Sequence, residues 1–230
     1  MRIGTLDLRF LGHDGFLLSS EETSIVIDPF HVTGAHKPVD LVLITHDHFD
    51  HCSIEDIRKF VGPATTVVGP AGIQSAIVKL EGVRLQPIEP GDVLELGTIK
   101  IEAVPAYNTT KFRDPEKKIV FHSKQERFVG YVIKVGSTIV YHSGDTDLIP
   151  EMHKLTGHGK RGNTFIALLP VSGTYVMTPE EASEAAFILK PDVALPMHYG
   201  AGVVGTIEDA RRFVELCRDK GIHAELLEKT

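Results

Sequence analysis

The chain predicts an α/β or α+β fold of mixed strands and helices. Short β-branched and aliphatic runs bounded by Gly, Pro and Asp recur along it, and hydroxyl-capped amphipathic stretches follow several of them. Its 230 residues are 42% hydrophobic and 24% charged, enough apolar material for a buried core without a disordered tract.

Strands are expected over residues 6–11, 15–19, 24–28 and 41–44, a meander interrupted by turn residues. Ser53 then offers an N-cap hydroxyl with Asp56 three residues on, and Ile54, Ile57, Phe60 and Val61 share one helical face until Gly62. Residues 66–68 read as a short strand and 71–80 as a helix ended at Gly82. Further strands are expected at 83–87, 93–96, 99–104, 128–135 and 137–141, the last two joined through Val135-Gly136-Ser137. Residues 165–170 form a buried strand, after which Thr178-Pro179-Glu180-Glu181 caps a helix running to Leu189. A strand at 193–195, a helix from Thr206 to about Lys220 and a last strand at 222–227 complete the order. The irregular segment 107–125 is long enough for a functional loop.

The segment Thr45-His46-Asp47-His48-Phe49-Asp50-His51 sets three imidazoles and two carboxylates directly behind the apolar run Leu41-Val42-Leu43-Ile44. Imidazole nitrogen is the commonest ligand for zinc and other first-row metals, carboxylate oxygen completes such sites, and donors on one tight loop converge at little ordering cost. His46 and His48 suit one ion, and Asp50 with His51 a second beside it. A solvated polar loop is the bland alternative, but such loops draw on Gly, Ser, Asn and Lys rather than repeated His.

His-x-His-x-Asp-His after a buried strand resembles the signature loop of the metallo-β-lactamase-fold hydrolases. Ser143-Gly144-Asp145-Thr146 resembles their Gly-Asp-Thr element, and Pro196-Met197-His198-Tyr199-Gly200 their late histidine loop. Leu11-Gly12-His13 and Ile27-Asp28-Pro29 resemble, more narrowly, the compact L-ascorbate-6-phosphate lactonase-like branch. The resemblance spans nearly the whole chain. It implies a four-layer αβ/βα sandwich, two mixed sheets with helices on the outer faces, and two divalent metal ions bridged by Asp145. Zinc is the first expectation because nitrogen ligands dominate, with manganese or iron as the alternatives.

On that pattern Asp50, His51, Asp145 and His198 form one donor set, while His46, His48 and Asp145 begin the other. The family's remaining mid-chain histidine is absent, since the corresponding stretch reads Val104-Pro105-Ala106-Tyr107-Asn108. Tyr107 or Asn108 could lend an oxygen or hold a water. His122 either enters from the loop to bind metal or substrate, or is an exposed loop residue. The resemblance also places His13 near the metals, as a proton carrier or substrate contact. Asp28 orients a ligand imidazole through its other ring nitrogen, or simply forms a turn. Cys52 is a small buried spacer or, less simply, a ligand.

The activity implied is metal-dependent hydrolysis, with a metal-bound hydroxide attacking carbon or phosphorus of a small anionic ester, lactone or phosphodiester and Asp50 orienting the water. A nuclease or phosphodiesterase acting on nucleic acid, and a non-catalytic metal-binding sensor or structural subunit, stay open as alternatives. The net charge of −7, from 31 acids against 24 bases, disfavours a general nucleic-acid-binding surface. No Gly-rich phosphate loop and no Gly-x-Ser-x-Gly elbow occurs. The two cysteines, Cys52 and Cys217, are too few and too far apart for a disulfide framework, which suggests a reducing compartment. With no apolar leader and no membrane-length stretch, the expectation is a cytoplasmic protein without membrane contact, taking a small anionic substrate and compatible with a homo-oligomer. Ligands scattered from His46 to His198 must converge, so residues 1–230 read as a single domain.

Overall fold

A computed structural model describes residues 1–160 and 162–230. They form two compact units, Met1–Glu89 together with Leu227–Thr230, and Pro90–Leu226.

The first unit is built on a seven-stranded sheet whose strands lie in sequence order. They are β1 (Arg2–Ile3), β2 (Leu6–Gly12), β3 (Gly15–Ser19), β4 (Ser24–Ile27), β5 (Leu41–Leu43), β6 (Thr66–Gly69) and β7 (Arg84–Pro87). Antiparallel pairing runs from β1 to β4 and parallel pairing from β4 to β7. Leu6, Leu8 and Phe10 turn inward while Arg9 faces water, the period of two that half-buried strands require. The parallel strands β4, β5 and β6 are buried nearly throughout, as their continuous aliphatic sequence demands. Val26, Val42, Ile44, Val67, Ile57, Phe60, Ile73 and Ile77 make one core with the helices.

Helix α1 (Ile54–Ile57) is capped by Ser53, which accepts from the Asp56 amide. It stops well short of Gly62, although Phe60 still folds inward with its N–H on the Ile57 carbonyl at 2.9 Å. The expected helix over 71–80 breaks into a 3₁₀ turn, Ala71–Ile73, and α2 (Gln74–Ile77). No side chain caps its start at Pro70, and Gly72 weakens its first turn. A Cβ at Gly72 would stand 3.3 Å from Asp47 Oδ2, so the glycine lets this turn pack against the histidine loop.

The second unit carries a six-stranded sheet, ordered β15-β14-β13-β12-β9-β8. These strands are β8 (Val93–Leu96), β9 (Ile99–Pro105), β12 (Val129–Val135), β13 (Thr138–His142), β14 (Thr164–Pro170) and β15 (Val193–Met197). Pairing is antiparallel from β8 to β13 and parallel from β13 to β15. The segment expected to be an irregular loop contains a hairpin, β10 (Phe112–Asp114) and β11 (Ile119–Val120). Capping boxes open both long helices, Thr178 with Glu181 at α3 (Pro179–Leu189) and Thr206 with Asp209 at α4 (Ile207–Asp219).

The expected last strand at 222–227 is absent. The chain there touches β15 only through an isolated bridge, Ala194 with Ala224, before Lys229 bridges Phe10 in the first unit's sheet. Two hydrogen bonds hold that passage to β15, Ala194 N to His223 O and Glu225 N to Ala194 O, too few for a ladder. Among the described residues no helix is long and apolar enough to cross a membrane.

Candidate metal centre

Parallel strands deliver their loops at the carboxyl ends, where ligands of α/β sheets gather. In the first unit β4 ends into Asp28 and β5 into Ile44-Thr45-His46. Thr45, His46 and His51 are fully buried, and Asp50 nearly so, while His48 and Phe49 are exposed. Asp28 fixes this loop. Its Oδ1 accepts the Thr45 amide at 2.9 Å, and its Oδ2 accepts the Thr45 hydroxyl at 2.5 Å and lies 2.8 Å from His51 Nδ1. With the His51 proton held at Nδ1 by a carboxylate, Nε2 is left with the lone pair that a metal would take. Thr45 Oγ1, its own proton given to Asp28, lies 2.9 Å from His46 Nδ1 and presents His46 Nε2 in the same way. His46 Nε2 and His48 Nδ1 are 3.1 Å apart.

His13 stands in the β2–β3 turn, fully buried at φ 57°, and its Nε2 lies 3.0 Å from Asp50 Oδ2. Burial pushes the Cys52 thiol up to about 12, reinforced by the Asp28 and Asp47 charges and opposed by His51. A thiol so disfavoured as thiolate suits the spacer reading better than ligation.

In the second unit β13 ends into His142-Ser143-Gly144-Asp145. Gly144 adopts φ 61° and donates its N–H to His142 Nδ1 at 3.2 Å, aiming Asp145 back along the strand end. Gly130 on β12 passes so close that a Cβ there would meet the Ser143 carbonyl oxygen at 2.6 Å; only glycine leaves room for this turn. His198 follows β15 at φ 62°, with Ser172 Oγ 2.9 Å from its Nδ1 and its Nε2 3.4 Å from Asp145 Oδ2. His122 is 1% exposed and places Nε2 3.5 Å from the same Asp145 oxygen.

Tyr107 and Asn108 are committed elsewhere. The Tyr107 hydroxyl donates to Glu151 Oε2 at 2.8 Å, with Lys124 Nζ 4.6 Å above its ring. Burial raises the Tyr107 pKa, with Glu151 adding to the effect, so the phenol stays protonated. Asn108 Nδ2 donates to Asp147 and to the Tyr175 carbonyl, and its Oδ1 accepts the His122 amide at 2.9 Å. Asn108 N–H in turn donates to the His122 carbonyl at 2.7 Å. The asparagine thus holds His122 in place rather than lending an oxygen itself.

For zinc bonds of about 2.0–2.2 Å at tetrahedral angles, neighbouring donor atoms lie roughly 3.3–3.6 Å apart. The His46–His48, His122–Asp145 and His198–Asp145 separations, 3.1, 3.5 and 3.4 Å, match that spacing to within a few tenths of an ångström. Imidazoles and a carboxylate at such distances, all buried except the exposed His48, fit a divalent ion.

Sequence reasoning missed three residues that position these donors. Thr45 and Ser172 each contact the outer nitrogen of a histidine, and Asp147 gathers the Thr109 and Thr110 amides, both at 2.7 Å. Burial works to raise the Asp147 pKa, but those amides outweigh it and hold the carboxyl below its ordinary value. A hydroxyl or carboxylate shortly after a strand was the only sequence signal, and nothing in it names the partner.

Residues 7–198 match the family model of the β-lactamase superfamily domain, and the chain belongs to that superfamily. Two mixed sheets with few helices are the architecture expected of its metallo-hydrolase fold. Within it, the chain is similar to members of the UPF0173 metal-dependent hydrolases: 31% identical over 203 residues to one from Desulforamulus reducens, covering 84% of each chain. A Thermus thermophilus member is 30% identical over 230 residues, 96% of each chain. Among solved structures, a Parabacteroides distasonis protein assigned as a metal-dependent hydrolase superposes with a TM-score of 0.77 at 30% identity, covering 98% of this chain and 94% of that one. A metallo hydrolase from Ignicoccus hospitalis shares the fold with a TM-score of 0.72 at 24% identity, covering 97% and 95%.

Proposed function

We propose that this chain is a metal-dependent hydrolase acting on a small anionic ester, lactone or phosphodiester with two divalent ions. The observation that carries this reading is the donor geometry: His46 with His48, and Asp145 with His122 and His198, at spacings that suit metal coordination. Membership of a family named for metal-dependent hydrolysis supports it. By the family pattern Asp50 and His51 would hold one ion and His46 and His48 the other, Asp145 would be a ligand of both, and His122 would stand in place of the missing mid-chain histidine. Zinc is the first metal to test, then manganese and iron.

Bound divalent ions supply Lewis acidity and make water a competent nucleophile near neutral pH. The chain's own residues do the rest. Asp28 and Thr45 hold the ring protons of His51 and His46 at Nδ1, keeping Nε2 of each for ligation. Asp50 orients the attacking water. Phe49, 69% exposed between His48 and Asp50, gives the substrate an apolar contact.

The test is turnover of phosphorylated lactone, carboxylic ester and phosphodiester panels by protein stripped of metal and then reconstituted with Zn²⁺, Mn²⁺ or Fe²⁺. Metal-restored hydrolysis of a small substrate supports the proposal. Turnover by verified metal-free protein, hydrolysis of oligonucleotides alone, or full metal occupancy without turnover on any panel would each overturn it.

A further inference from the structure

The two-residue turn between β2 and β3 does not look like a hairpin tip. Gly12 pairs with Gly15, so His13 and Asp14 form the turn, and hairpin tips ordinarily carry small polar residues into solvent. Here both side chains are fully buried. His13 also takes the left-handed conformation at φ 57°, where glycine is the easy choice. A buried histidine held in a costly backbone conformation beside a buried aspartate points to a function for this turn.

Its neighbours indicate which. His13 Nε2 lies 3.0 Å from Asp50 Oδ2 and 3.4 Å from Asp14 Oδ2. His51 Nε2 lies 3.8 Å from Asp14 Oδ2 and 3.9 Å from Asp50 Oδ2. The donor atoms of His13, Asp14 and His51 are all within 4.8 Å of one another. One N–H on His13 cannot point along both lines to the two carboxylates, whereas a cation among them accepts a lone pair from every member. Asp28 holds the His51 proton at Nδ1, which turns the Nε2 lone pair toward this cluster. Two carboxylates with two imidazoles ligating as neutral rings carry a charge of −2, the complement of a divalent ion. Ligand bonds of about 2.0–2.2 Å put neighbouring donors roughly 2.8–3.6 Å apart for angles between octahedral and tetrahedral; the two His13 separations fall in that range, and the two His51 separations exceed it by a few tenths of an ångström.

We propose that His13 and Asp14 are direct ligands of the ion served by Asp50 and His51, so that the first unit alone supplies four of its donors. This assignment rests on the metal-dependent reading above, and it makes His13 a ligand instead of a proton carrier.

Co²⁺ alone is the probe, added to the metal-stripped full chain and followed by its visible d–d absorption and by stoichiometry. Wild type should bind two ions. Asp14→Asn should weaken one of them by more than the ~10–100-fold expected from losing an outer partner, and His13→Asn, which keeps a residue tolerant of positive φ, should do the same. Asp14→Cys should add a thiolate-to-cobalt charge-transfer band that wild type lacks, a signal arising only if position 14 is coordinated. Far-UV circular dichroism of the metal-free variants reports whether the fold is kept. Variants that titrate like wild type, or a loss within 10–100-fold with no charge-transfer band, would overturn the assignment while leaving the metal-dependent reading intact. A wild type that takes up no cobalt would overturn both.

Discussion

Replacing Asp28 with asparagine should weaken metal binding without unfolding the chain. Asp28 sits at φ 39° with no solvent exposure, and asparagine tolerates that backbone region, so the substitution preserves shape and conformation. The side-chain oxygen can still accept the Thr45 amide. The amide nitrogen, however, would then face His51 Nδ1 at the 2.8 Å position now held by a carboxylate oxygen. Two donors cannot share that line, so His51 would shift its proton to Nε2 and surrender the lone pair meant for the ion. Losing one hydrogen bond to a charged group costs roughly 1.5–3 kcal/mol. Loss of such an outer partner lowers metal affinity about 10–100-fold, equivalent to ~1.4–2.7 kcal/mol. The two figures agree. The assay is competition with a chromophoric chelator, ion by ion, alongside thermal unfolding of metal-free protein. An Asp28→Asn affinity equal to wild type for both ions would refute the idea that this carboxylate sets the His51 tautomer.

Asp56 accepts the His31 and Val32 amides, Ser53 Oγ and Lys59 Nζ; burial raises its pKa, but these partners outweigh that and lower it. Because the folded value is depressed, its stabilisation is present above the unfolded value of about 3.9 and lost on acidification. Asp56→Asn should therefore cost roughly 2 kcal/mol at neutral pH and much less in acid, as denaturant titrations at both pH values will read; an equal cost at both would reject the charge as its cause. Phe49→Ala should raise KM by a factor equivalent to ~1 kcal/mol at unchanged metal content, and an unchanged KM would remove the ring from substrate binding. His122→Ala should weaken one of two ions while Asp145→Ala weakens both; metal titrations of the two variants that look alike would deny the bridging role. Because the last residues of the chain return to the first unit, the two units should unfold in a single calorimetric transition, and two resolved transitions would count against one cooperative domain.

The sequence by itself determined most of the strand order and pointed to the principal candidate donor loop. Alternating and continuous aliphatic runs have fixed periods, and the capping boxes at Thr178 and Thr206 are local chemistry, readable within a few residues. His46, His48, Asp50 and His51 were legible for the same reason, as they lie on one short loop behind an unmistakable strand. Local patterns also misled. The run at 71–80 looks helical, yet an uncapped start and Gly72 packed on Asp47 broke it into two short pieces. Residues 222–227 look like a strand, but only one bridge to β15 forms before the chain leaves for Phe10. What tertiary structure alone decided is which distant groups meet. Asn108 pairs its backbone and side chain with His122 across a hairpin, Ser172 finds His198, and the β2–β3 turn brings His13 and Asp14 to Asp50 and His51. Each contact joins residues many positions apart, and side-chain partnership at that range is fixed by strand register and turn geometry, which no local pattern encodes.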